Sequence, residues 1–358
     1  MRNVMYKRKQ IVITKKDDNV ICLYMIGNDI YDCVIERIDD APEMGDVYVG
    51  RVDKVVDNIK AAFVDIGSSK SAFLQFEKSD KPKCEDEVIV QIKKPEKGEK
   101  GAVLTKKISL VGRYCVVNLK NESEYEVVTR TNAKTADPDR VEAERSKLVA
   151  KMESIINHSE NRTVFSRVYK EPDFYIRFIN SYHTDEVDRI ITDDDEIYNE
   201  LKSYDDTLPL EKYEDESYSL DALYAISSTL QKAVSNRVWL KSGATLVIDK
   251  TEAMTVIDVN TAKAIAGKRS SEGTFLKTNL EAADEIARQI RLRNVSGIII
   301  IDFIDMKEKT SEEQLISHMK QLLADDPVRA CYIDMTALGL MEITRTKRYK
   351  SIYDSQIL

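Results

Sequence analysis

The sequence has no pair of cysteines at CxxC spacing. Its five cysteines, Cys22, Cys33, Cys84, Cys115 and Cys331, are scattered and odd in number. That argues against a disulfide framework and a local zinc knuckle, and it suits a reducing cytoplasm. No run approaches the roughly 18 apolar residues a membrane span needs, and the amino-terminal MRNVMYKRKQIVITKKD has no apolar signal core. A cytoplasmic protein without a membrane span is expected. A global excess of positive charge is missing too, since the net charge is −8. Nucleic-acid binding would therefore be local rather than spread over the molecule.

What is present is a globular composition, 42% hydrophobic over 358 residues, which is long enough for about two to four domains with real cores. Charge is uneven along the chain. Residues 193–216 hold eleven acids against Lys202 and Lys212, and residues 81–107 hold eight lysines against five acids.

Residues 10–37 read as three strands, with Gly27-Asn28-Asp29 as the turn between the last two. Three short strands cannot cover both their faces, so a later segment should pair with them. From Met44 come five closely spaced strand patterns, VYVGRVDKVV, AAFVDIG, SAFLQF, EVIVQIKK and GAVLTKKISL, the size and rhythm of an OB-type barrel that binds single strands. Phe63 and Phe73 stand on neighbouring patterns, and Lys93, Lys94, Lys97, Lys100, Lys106 and Lys107 crowd the last hairpin. Aromatic stacking with lysines along a backbone path holds single-stranded nucleic acid. A core role for both phenylalanines, with a solvated lysine hairpin, fits the spacing equally well.

The strand Tyr125 to Arg130 ends in Thr129-Arg130-Thr131-Asn132, and Asp137-Pro138 then opens a helix reaching about His158. An arginine between hydroxyls can grip a phosphate bidentately, although such an arginine is more often in a loop ion pair. Phe174 to Phe178 and Val187 to Ile191 are short patterns. Asp193-Asp194-Asp195-Glu196 precedes Ile197, Tyr198 and Leu201, so these acids are better read as a helix start than as a metal site. Residues 203–216 read as an exposed connection. Leu220 to Leu240 reads as one helix, on which Lys232, Arg237 and Lys241 face either a nucleic-acid backbone or, more commonly, water.

The chemistry concentrates in Thr245 to Met306. Met254 to Asn260 is a strand pattern that sends Asp258 and Asn260 to one side. A helix beginning near Thr278, with Thr278 and Glu281 as a capping box, leads to the strand Ile298 to Ile301. Its unbroken apolar run predicts burial on both faces. Such a strand–helix–strand unit brings Asp302 beside Asp258. Two carboxylates and an amide oxygen are hard ligands suited to Mg²⁺, and around one Mg²⁺ they would prepare a water for attack on a phosphodiester. Asp258 or Asp302 could equally cap a strand or pair with Arg269 or Arg293.

The motifs TEAMTVIDVNTAKA, TNLEAADEIARQIRLRNVSGIIIIDFIDM and ALGLMEITRTKR closely resemble the catalytic domain of the ribonuclease E/G family. The likeness extends back through AAFVDIG, SAFLQF, KGEKGAVLTKKISL and VVTRTNA. It implies an α+β multidomain fold: a ribonuclease H-like subdomain (residues 1–40 with 171–235), interrupted by an OB-type RNA-binding barrel (41–111) and a 5′-sensor region (112–170), then a DNase I-like catalytic domain (236–358).

Residue by residue, the family's metal-binding aspartates fall on Asp258 and Asp302, and its site asparagine on Asn260. Its 5′-monophosphate-sensing pair falls on Arg130 and Thr131, its RNA-contacting aromatics on Phe63 and Phe73, and its lysine on Lys100. The implied activity is Mg²⁺-dependent endonucleolytic cleavage of single-stranded RNA, in ribosomal RNA processing or mRNA decay. Cleavage would leave 5′-phosphate and 3′-hydroxyl ends and be stimulated by a substrate 5′-monophosphate. A non-catalytic single-stranded RNA-binding protein associated with ribosomal RNA, or a magnesium-dependent DNA nuclease, would use the same parts.

Two departures stand out. The best-known members carry a two-cysteine zinc-link, whereas no cysteine follows Cys331 before the closing SIYDSQIL. The resemblance is thus to a short form without the zinc-link or a C-terminal scaffold, and any homo-oligomer would lack zinc bridging. Asn118 to Glu124 also stands where longer members carry an insertion, implying a compact sensor that holds the 5′ end less tightly or differently.

Overall fold

The computed structural model describes residues 7–38, 41–120, 124–159, 163–182, 187–261 and 272–354. They form two compact units. One comprises residues 1–38 with 174–358, and the other is residues 39–173.

In the first unit, the strands Lys9–Lys16, Asn19–Ile26 and Asp29–Arg37 form an antiparallel meander. Its second turn uses Gly27 at φ +64°, a left-handed conformation that glycine adopts without steric cost. The later segment they require is Arg189–Thr192, which pairs in parallel with Lys9–Lys16, Gln10 opposite Arg189. Leu210–Lys212 then adds a fifth strand, so part of the acidic connection at 203–216 belongs to the sheet.

Both faces of this sheet are covered. Ile11, Ile13 and Cys22 pack against Phe174, Tyr175 and Phe178, and Val12, Leu23 and Cys33 against Leu220, Ile226 and Leu230. The acidic run starts a helix, as its sequence suggests. The helix is Asp195–Tyr204, and the Asp194 carboxylate caps it by accepting from the Ile197 N–H.

A second sheet in the same unit has six strands in the order Arg237–Trp239, Thr245–Lys250, Met254–Asn260, Gly297–Asp302, Leu340–Arg345, Ala330–Met335. The helices Glu272–Leu292 and Lys309–Ala324 lie on one face, where Ile257, Val259, Ile299 and Ile301 meet Ala283, Ile286, Leu315 and Met319.

Three expectations are corrected here. The strand Gly297–Asp302 is not buried on both faces. Ile299 and Ile301 are fully buried, whereas Ile298 is 46% exposed and Met254 opposite it 37%, because the helices cover one side only. The long helix begins by Glu272 rather than near Thr278. Thr278 is buried within it and donates to the Thr274 carbonyl, and Glu281 accepts from the Ser242 N–H, so the two form no capping box. The single helix read over Leu220 to Leu240 is two short helices, Leu220–Tyr224 and Ile226–Ala233, broken at Ala225 with φ +51°. Arg237–Trp239 is instead an edge strand, because Val238 turns into the core of the second sheet.

The second unit contains a closed five-stranded barrel. Val47–Val56, Ala61–Asp65, Ala72–Gln75, Val103–Thr105 and Glu87–Lys94 follow one another, and the last pairs back to the first. All pairings are antiparallel except Ala72–Gln75 with Val103–Thr105, an arrangement consistent with an OB-type domain. Val52, Val64, Leu74, Val90, Ile92 and Leu104 fill the interior. Gly50 permits a close approach there, since a Cβ on it would stand 2.6 Å from Val64 Cγ1.

Ser109–Val111 leaves the barrel to join Cys115–Leu119 and Tyr125–Thr129 in a three-stranded sheet. The helix Pro138–Ser159 packs on it through Met152 and Ile155. Among the described residues, no helix is long and apolar enough to cross a membrane.

Candidate active site

Met254–Asn260 and Gly297–Asp302 run parallel, and their ladder closes on Asp258 opposite Asp302. Opposed residues share a face, here the one without helices, so both carboxylates reach solvent at the carboxyl ends of adjacent strands. Asn260 lies two residues beyond Asp258, and its amide donates to the Asp258 carboxylate. Asp302 is raised above the ordinary aspartate range by partial desolvation and by the charges of Asp258 and Asp305. Among the described residues no cation forms a salt bridge with these three acids.

Arg293 is fully buried and bonded to Gln289, Tyr353 and the Ser235 carbonyl, so it does not neutralise the pair. Arg269, the other cation considered, lies outside the described residues. No group of three or more His, Cys, Asp or Glu side chains is close enough to enclose a metal among those residues. The local donor set is therefore two carboxylates and one amide. It fits Mg²⁺, which keeps several waters and binds through one or two carboxylates rather than a full protein cage.

Two residues that pattern reading passed over hold the segment after Asp302. Asn279, fully buried in the helix Glu272–Leu292, donates to the Ile304 carbonyl at 2.8 Å and accepts from the Ile304 N–H at 3.1 Å. Glu272 accepts from the N–H groups of Lys307 and Glu308. An asparagine in an otherwise apolar helical stripe was the visible signal, because a buried amide must find partners.

On the barrel, Phe63 and Phe73 are cross-strand partners. Their rings meet edge to face at 6.2 Å, both half-buried and outside the interior cluster. The register extends the row in both directions. Lys54 lies opposite Phe63, Val103 beside Phe73, and Lys94 opposite Val103. An aromatic pair is thus flanked by two exposed lysines that make no salt bridge among the described residues. Lys54 escaped sequence reading because only the strand register places it there. Lys100 is exposed in the turn closed by Lys97 and Lys100, just before Ala102, whose carbonyl accepts from the Phe73 N–H.

In the same unit, Arg130 precedes the short turn Thr131–Lys134. Its N–H donates to the Tyr114 carbonyl and its guanidinium to the Gly112 carbonyl; Thr131 is exposed. The turn that Arg130 grips carries an anion already. The N–H groups of Arg113, Tyr114 and Cys115 converge on the Glu144 carboxylate at 2.9, 2.6 and 3.0 Å.

The ribonuclease E/G family model matches residues 104–348, more than half of the chain. Ribonuclease E of Synechocystis sp. is 31% identical over 97% of this chain and 58% of that protein. Ribonuclease E of Haemophilus influenzae is 29% identical over 98% of this chain and 42% of that protein. Ribonuclease G of Escherichia coli is 31% identical over 92% of this chain and 78% of that protein. The chain spans about half the length of the two ribonuclease E relatives.

Proposed function

The chain belongs to the ribonuclease E/G family, and from that premise we propose that it is an endoribonuclease whose reacting centre is Asp258, Asn260 and Asp302. The observation that carries the reading is the in-register pairing of Asp258 with Asp302 at two parallel strand ends, within the matched segment. Asp258 and Asp302 would hold Mg²⁺, which would supply positive charge and Lewis acidity to the phosphodiester. Asn260 fixes the Asp258 carboxylate by hydrogen bonding, and Asn279 and Glu272 hold the backbone beyond Asp302. On this reading the six-stranded sheet is the DNase I-like catalytic domain and the five-stranded sheet the ribonuclease H-like subdomain.

Single-stranded RNA is the proposed substrate, from ribosomal RNA processing or mRNA decay. It would stack on Phe63 and Phe73, with Lys54, Lys94 and Lys100 along its backbone. Products would carry 5′-phosphate and 3′-hydroxyl ends, and Arg130 with Thr131 would read a substrate 5′-monophosphate.

The test is cleavage of a 5′-monophosphorylated single-stranded oligoribonucleotide by wild type and Asp258→Asn, with Mg²⁺ or with chelator. Cleavage only by wild type with Mg²⁺ is the expected result. RNA bound equally by both proteins and cut by neither would leave a non-catalytic RNA-binding protein. A matched DNA oligonucleotide cut as fast as the RNA would point to a DNA nuclease.

A further inference from the structure

Where the two sheets of the first unit meet, a cleft of about 490 Å³ opens beside the edge strand Arg237–Trp239. One wall is the helix Ile226–Ala233, which packs on the five-stranded sheet through Ile226 and Leu230. Another is the end of the helix Glu272–Leu292, which packs on the six-stranded sheet through Ala283 and Ile286. Lys232, Ser235, Arg237, Arg288, Gln289 and Leu292 line the space, and none of its lining residues is acidic, although the chain carries a net charge of −8.

The three cations of this lining are not equivalent. Arg288 donates to both oxygens of Glu285 and to the Ile30 carbonyl, so its charge is balanced and its position fixed. Gln289 is engaged as well, donating to Glu285 and accepting from Arg293. Lys232 and Arg237, by contrast, are exposed, and neither side chain has a hydrogen bond or an ion pair among the described residues. Two like charges facing a space without an acid raise the local potential, and an anion entering the cleft is drawn by both.

Register connects the cleft to the acids. Arg237 lies opposite Val247, Val247 opposite Asp258, and Asp258 opposite Asp302. The alternation that turns Val238 into the core sends Arg237 to the face that carries the carboxylates. With neighbouring strands about 4.8 Å apart, Arg237 stands roughly 10 Å from Asp258 across the sheet. A nucleic-acid strand laid over the acid pair reaches it within neighbouring nucleotides.

We propose that this cleft is a phosphate-binding stretch of the RNA path, in which Arg237 and Lys232 hold backbone phosphates of nucleotides next to the one cut at Asp258 and Asp302. The inference rests on the ribonuclease reading and extends it. Arg237 can take a phosphate through two parallel N–H donors, whereas Lys232 acts as a point charge. Contacts to phosphate fix register and orientation and carry no base information. The cleft therefore positions the strand across the acids without selecting sequence, and its two cations are positioning residues rather than catalytic ones.

The test uses the full chain in chelator with a labelled single-stranded oligoribonucleotide, read by anisotropy across a range of salt. Arg237→Ala and Lys232→Ala should each lower the slope of log Kd against log salt by about 0.7, with thermal midpoints unchanged because both side chains are exposed. Lys320→Ala, which removes an exposed cation of the helix Lys309–Ala324 outside the cleft, should leave the slope as it is. A neutral methylphosphonate is then placed at one phosphate after another. In wild type a position next to the scissile phosphate should weaken binding, and in Arg237→Ala the same position should have no further effect, because groups in contact do not act additively. With Mg²⁺, both variants should raise KM more than they lower kcat. Calorimetry with inorganic pyrophosphate separates a bound strand from a free phosphate ligand.

Slopes left unchanged by both variants, while wild type binds and cuts RNA, overturn the phosphate path alone. So does an equal fall in slope for Lys320→Ala, which would reduce both cations to the general field of the protein. Pyrophosphate bound by wild type and lost in Arg237→Ala, with RNA slopes unchanged, also overturns it and gives the cleft to a free phosphate ligand. The non-additive pattern with no cleavage by wild type in Mg²⁺ upholds the path and overturns the ribonuclease reading. Absence of any RNA binding overturns both.

Discussion

Asp258 and Asp302 stand opposite each other as the last pair of a parallel ladder, held there by backbone hydrogen bonding rather than by any attraction of their own. Their charges repel, and the Asp302 carboxyl holds its proton above the ordinary aspartate range, through partial desolvation first and then the charges of Asp258 and Asp305.

This gives a prediction about stability. A carboxylate whose folded-state pKa is raised favours folding below its unfolded value, and that contribution is lost once pH rises through the folded value. Near neutral pH the charged Asp302 therefore works against the fold. Asp302→Asn should raise the thermal midpoint in chelator at pH 7 while lowering cleavage by at least about 100-fold. A lower midpoint in differential scanning calorimetry would refute the repulsion account.

The barrel pair yields a second. Phe63→Ala and Phe73→Ala should each weaken single-stranded RNA binding by about 1–3 kcal/mol, read by anisotropy. Both rings lie outside the interior cluster, so urea midpoints should move far less than for a core variant such as Leu74→Ala, expected to lose about 2–5 kcal/mol. A loss of folding stability without a loss of affinity would return both rings to a core role. Lys54→Ala and Lys94→Ala should act on the salt dependence of binding, lowering its slope by about 0.7 each.

A third concerns the 5′ end. Arg130→Ala should reduce the ratio of cleavage rates between 5′-monophosphorylated and 5′-hydroxyl substrates toward one; an unchanged ratio would remove Arg130 from sensing. Glu144→Ala should cost about 3 kcal/mol in urea unfolding, because it strips the acceptor from three partly buried N–H groups. Glu144→Gln, which keeps one acceptor oxygen, should cost less.

A fourth follows from the acidic run. Asp194 is partly desolvated, which alone would raise it, but the hydrogen bonds from Lys15 and the Ile197 N–H outweigh this and hold it below its usual range. Its stabilising contribution is present above the unfolded pKa and lost as pH falls through the lower folded one. Asp194→Ala should cost about 1 kcal/mol at pH 7, and its difference from wild type in urea should shrink below about pH 4. A pH-independent difference would assign the loss to packing.

The barrel strands, the acidic helix start and the requirement for a late partner to the first three strands were legible because hydrophobic alternation and capping chemistry are local. Errors arose where tertiary packing decided. The apolar run Ile298 to Ile301 resembles a doubly buried strand, yet only one face meets helices. Val238 and Trp239 continue a helical pattern, yet the neighbouring strand recruits them to a sheet edge. Within the site, the acids were visible as strand ends. The row joining Lys54 to Phe63, or Arg237 to Asp258, exists only in the register between strands, which no local pattern encodes.

The parallel pairing of Lys9–Lys16 with Arg189–Thr192 also sets an order of events at the ribosome. The first strand emerges 179 residues before its partner, as in Gln10 against Arg189, and the intervening barrel can close on its own contacts meanwhile. Until Arg189 to Thr192 are made, the Gln10 to Ile13 edge offers unpaired N–H and C=O groups to any passing strand. The nascent chain is most open to mispairing in that interval, and a pause in translation there would lengthen the exposure.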